Sequence, residues 1–189
     1  MFSIFTFSKS FAMTGFRVGY IHSPSHRAAQ ILGNLQVPLT GSLNTPAQYA
    51  ALAALSEQAL TKEMCTTYQR RRNLALNVLK KYDMYDYTPQ GAFYLLVDIS
   101  RAGLDGDAFA QKLLQEKKVA VAQGSGFGFM PQYDARGRIL RSVDDHGLAR
   151  YPVNSKVRGK LRVSFCVGDE QVVEGMTRLC QTVQPQFPR

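Results

Sequence analysis

The sequence predicts an α/β chain, and three observations predict it. The chain opens with short runs in which apolar residues alternate with small hydroxyl residues, the pattern of half-buried strands. Between residues 48 and 82 come long helical stretches, first rich in alanine and leucine and then striped with apolar residues. Beyond them, apolar strands at 92–98 and 119–122 and an alternating one at 160–166 are interleaved with helical patterns.

The elements follow in order. Residues 2–7 read as a strand ending near Lys9, Gly15 allows a tight turn, and residues 17–21 read as a second strand. Ser23-Pro24-Ser25 is a turn, with Ser25 an N-cap for a helix that begins at His26 and stops at Gly33-Asn34. Asn44-Thr45-Pro46 starts a second helix, with proline in the first turn where its missing N–H does no harm. Residues 60–82 form a long amphipathic helix. Met64, Leu74, Val78 and Leu79 line its apolar side, while Arg70, Arg71 and Arg72 make a solvated face or, alternatively, a phosphate contact. Thr88-Pro89-Gln90-Gly91 is a turn before the strand at 92–98. Asp105 and Asp107 offer caps for a helix running through Lys117. Gly124-Ser125-Gly126-Phe127-Gly128 lacks the strand–GxGxxG–helix arrangement of a dinucleotide site and reads as a structural turn. Residues 129–157 are irregular, with Arg136, Arg138, Arg141, Asp144 and Asp145 interleaved, and read as a mobile surface loop, with a lid or a partner-binding feature as its alternative roles. His146 beside Asp145 is given no role. Gly168 or Asp169 opens the last helix, 170–183.

Composition narrows the function classes. A 189-residue chain with 45% hydrophobic and 20% charged residues is a globular protein with a real core. Its net charge of +9 invites a nucleic-acid partner, but the cations are spread out and no zinc-finger or ribonucleoprotein motif accompanies them. No nucleic acid and no membrane is therefore expected as a partner, and no apolar run reaches spanning length. Three widely spaced cysteines argue for reduced thiols, and His22 with His26 lacks the further ligands of a metal site, so no metal is expected. No acidic residue precedes Glu57, as in a mitochondrial transit peptide, yet cleavage there would remove the lysine region. The expected compartment is the cytoplasm, with the mitochondrion as the alternative.

The chemistry centres on Lys9. A lysine near apolar walls and a second cation can lose its proton near neutrality and condense with an aldehyde, while Arg17 offers a planar fork to a phosphate. Aldehyde plus phosphate is pyridoxal phosphate. The other reading of such a lysine is a solvated surface cation.

Ser8-Lys9 followed by Gly15-x-Arg17-x-Gly19-Tyr20 resembles the lysine signature of the class I/II, fold type I, pyridoxal-phosphate-dependent aminotransferases. Phe16 stands where many relatives have tryptophan. The resemblance implies that Lys9 is the catalytic residue that forms the Schiff base with pyridoxal 5'-phosphate, and that Thr6 and Arg17 hold its phosphate. Pro89-x-Gly91-Ala92-Phe93-Tyr94 and the strand Arg162-Val163-Ser164-Phe165 are also similar to the family, and imply that Arg162 grips the substrate's α-carboxylate. The stretch around Ser42, Asn44 and Pro46 is similar too; Asn44 is read either as a helix cap or as a residue reaching a neighbouring subunit's site.

The resemblance covers only the C-terminal half of the usual enzyme. The glycine-rich phosphate loop and the aromatic, Asn, Asp and Tyr residues that hold the pyridine ring are missing. It implies a remnant of the large cofactor domain at 1–60, a bridging helix at 61–82 and an α+β small domain at 83–189. The expected reaction transfers an amino group between an amino acid and a 2-oxo acid, by a homodimer when complete, with poor activity from this stretch alone. Two rivals remain: another fold type I reaction (a carbon–sulfur β-lyase or a cyclising synthase) and a catalytically silent binding module.

Overall fold

The computed structural model describes residues 2–127, 132–136, 138–140, 142–143, 149–150 and 159–184. The chain forms two compact units, Met1–Thr67 and Tyr68–Arg189.

In the first unit, β1 (Ser3–Thr6) pairs antiparallel with β2 (Gly19–His22), in a register that sets Ile4 opposite Ile21 and Thr6 opposite Gly19. Between them lie a single helical turn, α1 (Phe7–Ser10), and a 3-10 turn at Thr14–Phe16. The lysine thus sits on a helical turn just past the strand. The sharp backbone reversals fall on Ala12 (φ 53°) and Arg17 (φ 51°), not on Gly15. At Gly19 the need for glycine is steric: a Cβ there would meet the Phe5 carbonyl oxygen at 2.5 Å.

α2 (His26–Thr40) starts at Ser25, whose hydroxyl accepts the Ala28 N–H as expected. It does not stop at Gly33-Asn34 but runs on to Gly41, whose φ of +69° ends it, with its N–H on the Val37 carbonyl. Glycine inside a helix is unfavourable by only about 1 kcal/mol, too little to break one alone. α3 (Thr45–Ser56) is capped by Asn44, whose Oδ1 accepts from the Ala47 N–H at 3.0 Å. The small core here joins Phe7, Met13 and Val18 to Ala47 and Ala51, so α3 approaches through alanines.

The second unit holds the larger core. α4 (Gln58–Lys81) buries Ala75, Leu76, Val78 and Leu79. Strands β3 (Tyr94–Asp98), β4 (Ala122–Gln123) and β9 (Lys160–Ser164) make an antiparallel sheet in the order β3-β9-β4. Leu95, Val97, Leu161 and Val163 point to the buried face, against α5 (Gly106–Lys117) and α6 (Asp169–Val183). Residues of the other parity, Tyr94, Leu96 and Arg162, take the opposite face, as the two-residue period of a strand requires. Asp105 caps α5 through the Ala108 N–H at 2.8 Å.

The arginine run is more than a solvated face. Arg70 Nε and Arg71 Nε reach Asp169 at 2.8 and 3.1 Å, and Arg72 Nη1 donates to the Pro89 carbonyl at 3.1 Å. Asp169 opens α6, where a negative charge also suits the helix dipole. The hydrogen bond from Arg71, with Arg70 beside it, holds the Asp169 carboxyl below its ordinary range.

Within 129–157, described residues form antiparallel strand pairs: β5 (Gln132–Tyr133) with β6 (Ile139–Leu140), and β7 (Ser142–Val143) with β8 (Ala149–Arg150). Asp134 organises the first, accepting from the Arg136 and Arg138 N–H groups and from Arg138 Nε. The stretch is thus partly regular, contrary to the expectation of a plain loop. Gly128, Arg141, Asp144, Asp145 and His146 lie outside the described residues.

Candidate active site

The turn that carries Lys9 is built by hydroxyls. The Thr6 side chain accepts the Ser8 N–H at 3.2 Å, which caps α1, and its hydroxyl donates to Ser8 Oγ at 3.0 Å. From the far side, the Thr14 hydroxyl donates to the Ser8 carbonyl at 3.0 Å. Phe7 is buried and its N–H reaches the Val18 carbonyl at 3.2 Å, so the turn is pinned to the residue just before β2 on one side and to the small core on the other. Lys9 sits on this anchored turn and is exposed.

Arg17 follows the 3-10 turn in the left-handed conformation, and its Nη1 donates to the Thr14 carbonyl at 3.0 Å. The same threonine therefore holds both the lysine turn and the arginine. Arg17 also lines an open groove of about 710 Å³, together with Phe16, Ser42, Leu43 and Asn44. Thr6, Lys9 and Arg17 are thus tied into one local construction.

Arg162 belongs to the second unit. It stands on β9, the central strand, opposite Leu96 on one side and Ala122 on the other. Its guanidinium lies over two rings, 4.4 Å from the Tyr94 centroid and 3.9 Å from that of Phe127. Among the described residues no carboxylate pairs with it. The partners it does have are the faces of these two rings.

A scan against known families matches residues 2–179 to the family described as aminotransferase class I and II. The chain belongs to that family. It is 32% identical over 190 residues to a probable aspartate/prephenate aminotransferase of Aquifex aeolicus, a match covering 97% of this chain and 41% of that protein. To an aspartate aminotransferase of Thermotoga maritima it is 42% identical over 121 residues, 64% of this chain and 30% of that protein. Among solved structures, an aromatic aminotransferase from Pyrococcus horikoshii superposes with a TM-score of 0.74 at 28% identity, over 98% of this chain and 43% of that one. This aminotransferase-family chain therefore carries part of the fold type I α/β architecture, and spans 41% of the Aquifex relative's length.

The donor set suits an anionic cofactor. Before Glu57 the chain carries Lys9, Arg17 and Arg27 and no carboxylate. A phosphorylated aldehyde calls for an amine to condense with and for hydroxyl or guanidinium donors to its phosphate, residue types this stretch supplies. Among the described residues no cluster of three or more His, Cys, Asp or Glu side chains is placed to hold a metal. Among them too, no helix is long and apolar enough to cross a membrane.

Reading the sequence missed Thr14, Tyr94 and Phe127 as members of these constructions. Thr14 sits inside the quoted signature, but its bond back to Ser8 depends on the left-handed reversals. Tyr94 could have been found from strand parity and register. Phe127 could not, because it comes from a turn read as structural.

Proposed function

We propose that this chain is the lysine-bearing part of an aminotransferase that moves an amino group between an amino acid and a 2-oxo acid, with pyridoxal 5'-phosphate as cofactor. The observation that carries the reading is Lys9, exposed on a turn fixed by Thr6, Ser8 and Thr14, with Arg17 on the same threonine and no carboxylate before Glu57.

The cofactor, when bound, supplies an aldehyde for an amine and a conjugated ring that draws electrons from the substrate's Cα. Lys9 Nζ would provide that amine and would hold the proton taken from the substrate's Cα. Thr6 and Arg17 bind the phosphate, the hydroxyl as a neutral donor and the guanidinium as a charged fork. Arg162 orients the substrate through its α-carboxylate, the group shared by aspartate and aromatic amino acids, which the names of relatives mention. The assembly is a homodimer, with Asn44 near the subunit boundary, and it works in the cytoplasm. Residues 1–60 belong to the cofactor domain, 61–82 to a bridging helix and 83–189 to the small domain.

The test is covalent trapping. The purified chain is mixed with pyridoxal 5'-phosphate, reduced with borohydride and digested, and the peptides are weighed. The label is expected on the Lys9 peptide and absent from a Lys9→Ala variant. Equal labelling of several exposed lysines, with none favoured, would overturn the reading.

A further inference from the structure

We propose that Tyr94 and Phe127 are positioning residues for Arg162: they clamp its guanidinium between two rings and leave only the in-plane edge of the fork for a carboxylate. The inference rests on the reading of Arg162 as the carboxylate grip and adds how that grip is held.

The clamp is assembled from three directions. Tyr94 lies on β3 two residues before Leu96, the partner of Arg162 in the register, so it is the diagonal neighbour on the same sheet face. Its ring meets the guanidinium at 4.4 Å. The 3-10 turn Gly124–Phe127 leaves β4 directly after Ala122 and Gln123, which pair with Arg162 and Leu161, and brings Phe127 to 3.9 Å. Both distances are well within cation–π range.

Tyr94 is itself supported. Its ring touches Phe93 at 4.4 Å, Phe93 stacks on Tyr68 at 5.5 Å, and Arg71 sits 5.9 Å over Tyr68. A line of rings and cations thus runs from α4 to Arg162. Phe127 is 51% exposed and closes the outer side.

A guanidinium held on its faces can still bond in its own plane, where its N–H groups match the two oxygens of a carboxylate. Rotamer freedom that the arginine would otherwise lose on binding is already gone, and the rings keep water from the faces of the charge. Both effects favour carboxylate binding without touching the ligand.

The test uses the full chain, nitrogen-15 labelled, with the Arg162 Nε–Hε signal assigned by its loss in Arg162→Lys. Without ligand, ring currents should displace that proton upfield, and Phe127→Leu should return it downfield while Phe127→Tyr keeps it. Succinate is then titrated. The expected result is a saturable shift of the Arg162 signal in the wild type. It should be weakened about tenfold in Phe127→Leu and in Tyr94→Leu, the equivalent of about 1.4 kcal/mol, and restored in Phe127→Tyr and Tyr94→Phe. If Phe127→Leu moves the signal yet binds succinate within twofold of wild type, the positioning role is overturned and the grip stands. If wild type shows the upfield signal but no response to succinate, the carboxylate reading itself is overturned. An Arg162 signal at the ordinary position, alike in wild type and both leucine variants, overturns the clamp.

Discussion

Replacing Gly19 with alanine tests the geometry that holds the lysine turn. Gly19 faces Thr6 across the β1–β2 pair, and its new Cβ would stand 2.5 Å from the Phe5 carbonyl oxygen and 3.4 Å from Thr6 Cα. The first contact is backbone, so no side chain can swing aside; the two strands must part by most of an ångström. Overpacking of this kind costs about 1–3 kcal/mol. Alanine also narrows the unfolded ensemble, which offsets about 0.4–1 kcal/mol. The net loss should be about 1–2 kcal/mol, or roughly tenfold in a local opening equilibrium. The probe is amide hydrogen exchange at Phe7, whose N–H is bonded to the Val18 carbonyl at 3.2 Å. Gly15→Ala is the control. Gly15 is not left-handed, and a Cβ there meets nothing within 4 Å, so exchange should be unchanged or slower. The reasoning is refuted if Gly19→Ala exchanges within twofold of wild type, or if Gly15→Ala is equally damaged.

Two further outcomes follow from charge and burial. Asp169 is held below its ordinary range by Arg71, so its contribution to stability is fully present above the unfolded carboxyl's value of about 3.9. That contribution disappears as pH falls through the lower folded value, because the unfolded chain takes up its proton first. Thermal melts of Asp169→Asn between about pH 5 and 2 should therefore depend less on acid than wild type; parallel profiles would contradict the pairing. Cys180 is fully buried and burial pushes its thiol up to about 12, whereas Cys65 and Cys166 are exposed. Alkylation at mild alkaline pH should mark Cys65 and Cys166 in the native chain and reach Cys180 only in denaturant. Rapid native labelling of Cys180, read by peptide mass, would contradict the burial of this α6 residue.

Much of the fold was legible because its signals are local. Ser25, Asn44 and Asp105 cap helices through bonds to an N–H three residues ahead, which needs no knowledge of the rest of the chain. The alternation at Lys160–Ser164 was likewise legible, whereas Tyr94–Asp98 reads as a continuous apolar run whose two faces only the pairing with β9 distinguishes. Errors arose where a local sign was ambiguous. Gly33 looked like a helix stop, but a right-handed glycine interrupts nothing, and the stop is Gly41 with its positive φ. Gly15 looked like the turn-maker, yet the surrounding packing puts the left-handed backbone on Ala12 and Arg17.

The candidate site divides along the same line. By itself the sequence determined that one lysine, flanked by hydroxyls and followed by Gly-x-Arg-x-Gly, opens a chain with no carboxylate before Glu57; spacing and composition are written in the primary structure. Only the tertiary structure decided how those groups are held. Asp169 meets Arg70 and Arg71 across nearly a hundred residues, and Phe127 closes over Arg162 because β4 pairs beside β9. Such contacts depend on strand register and helix packing, which arise when the whole apolar core closes and which no neighbouring residues encode alone.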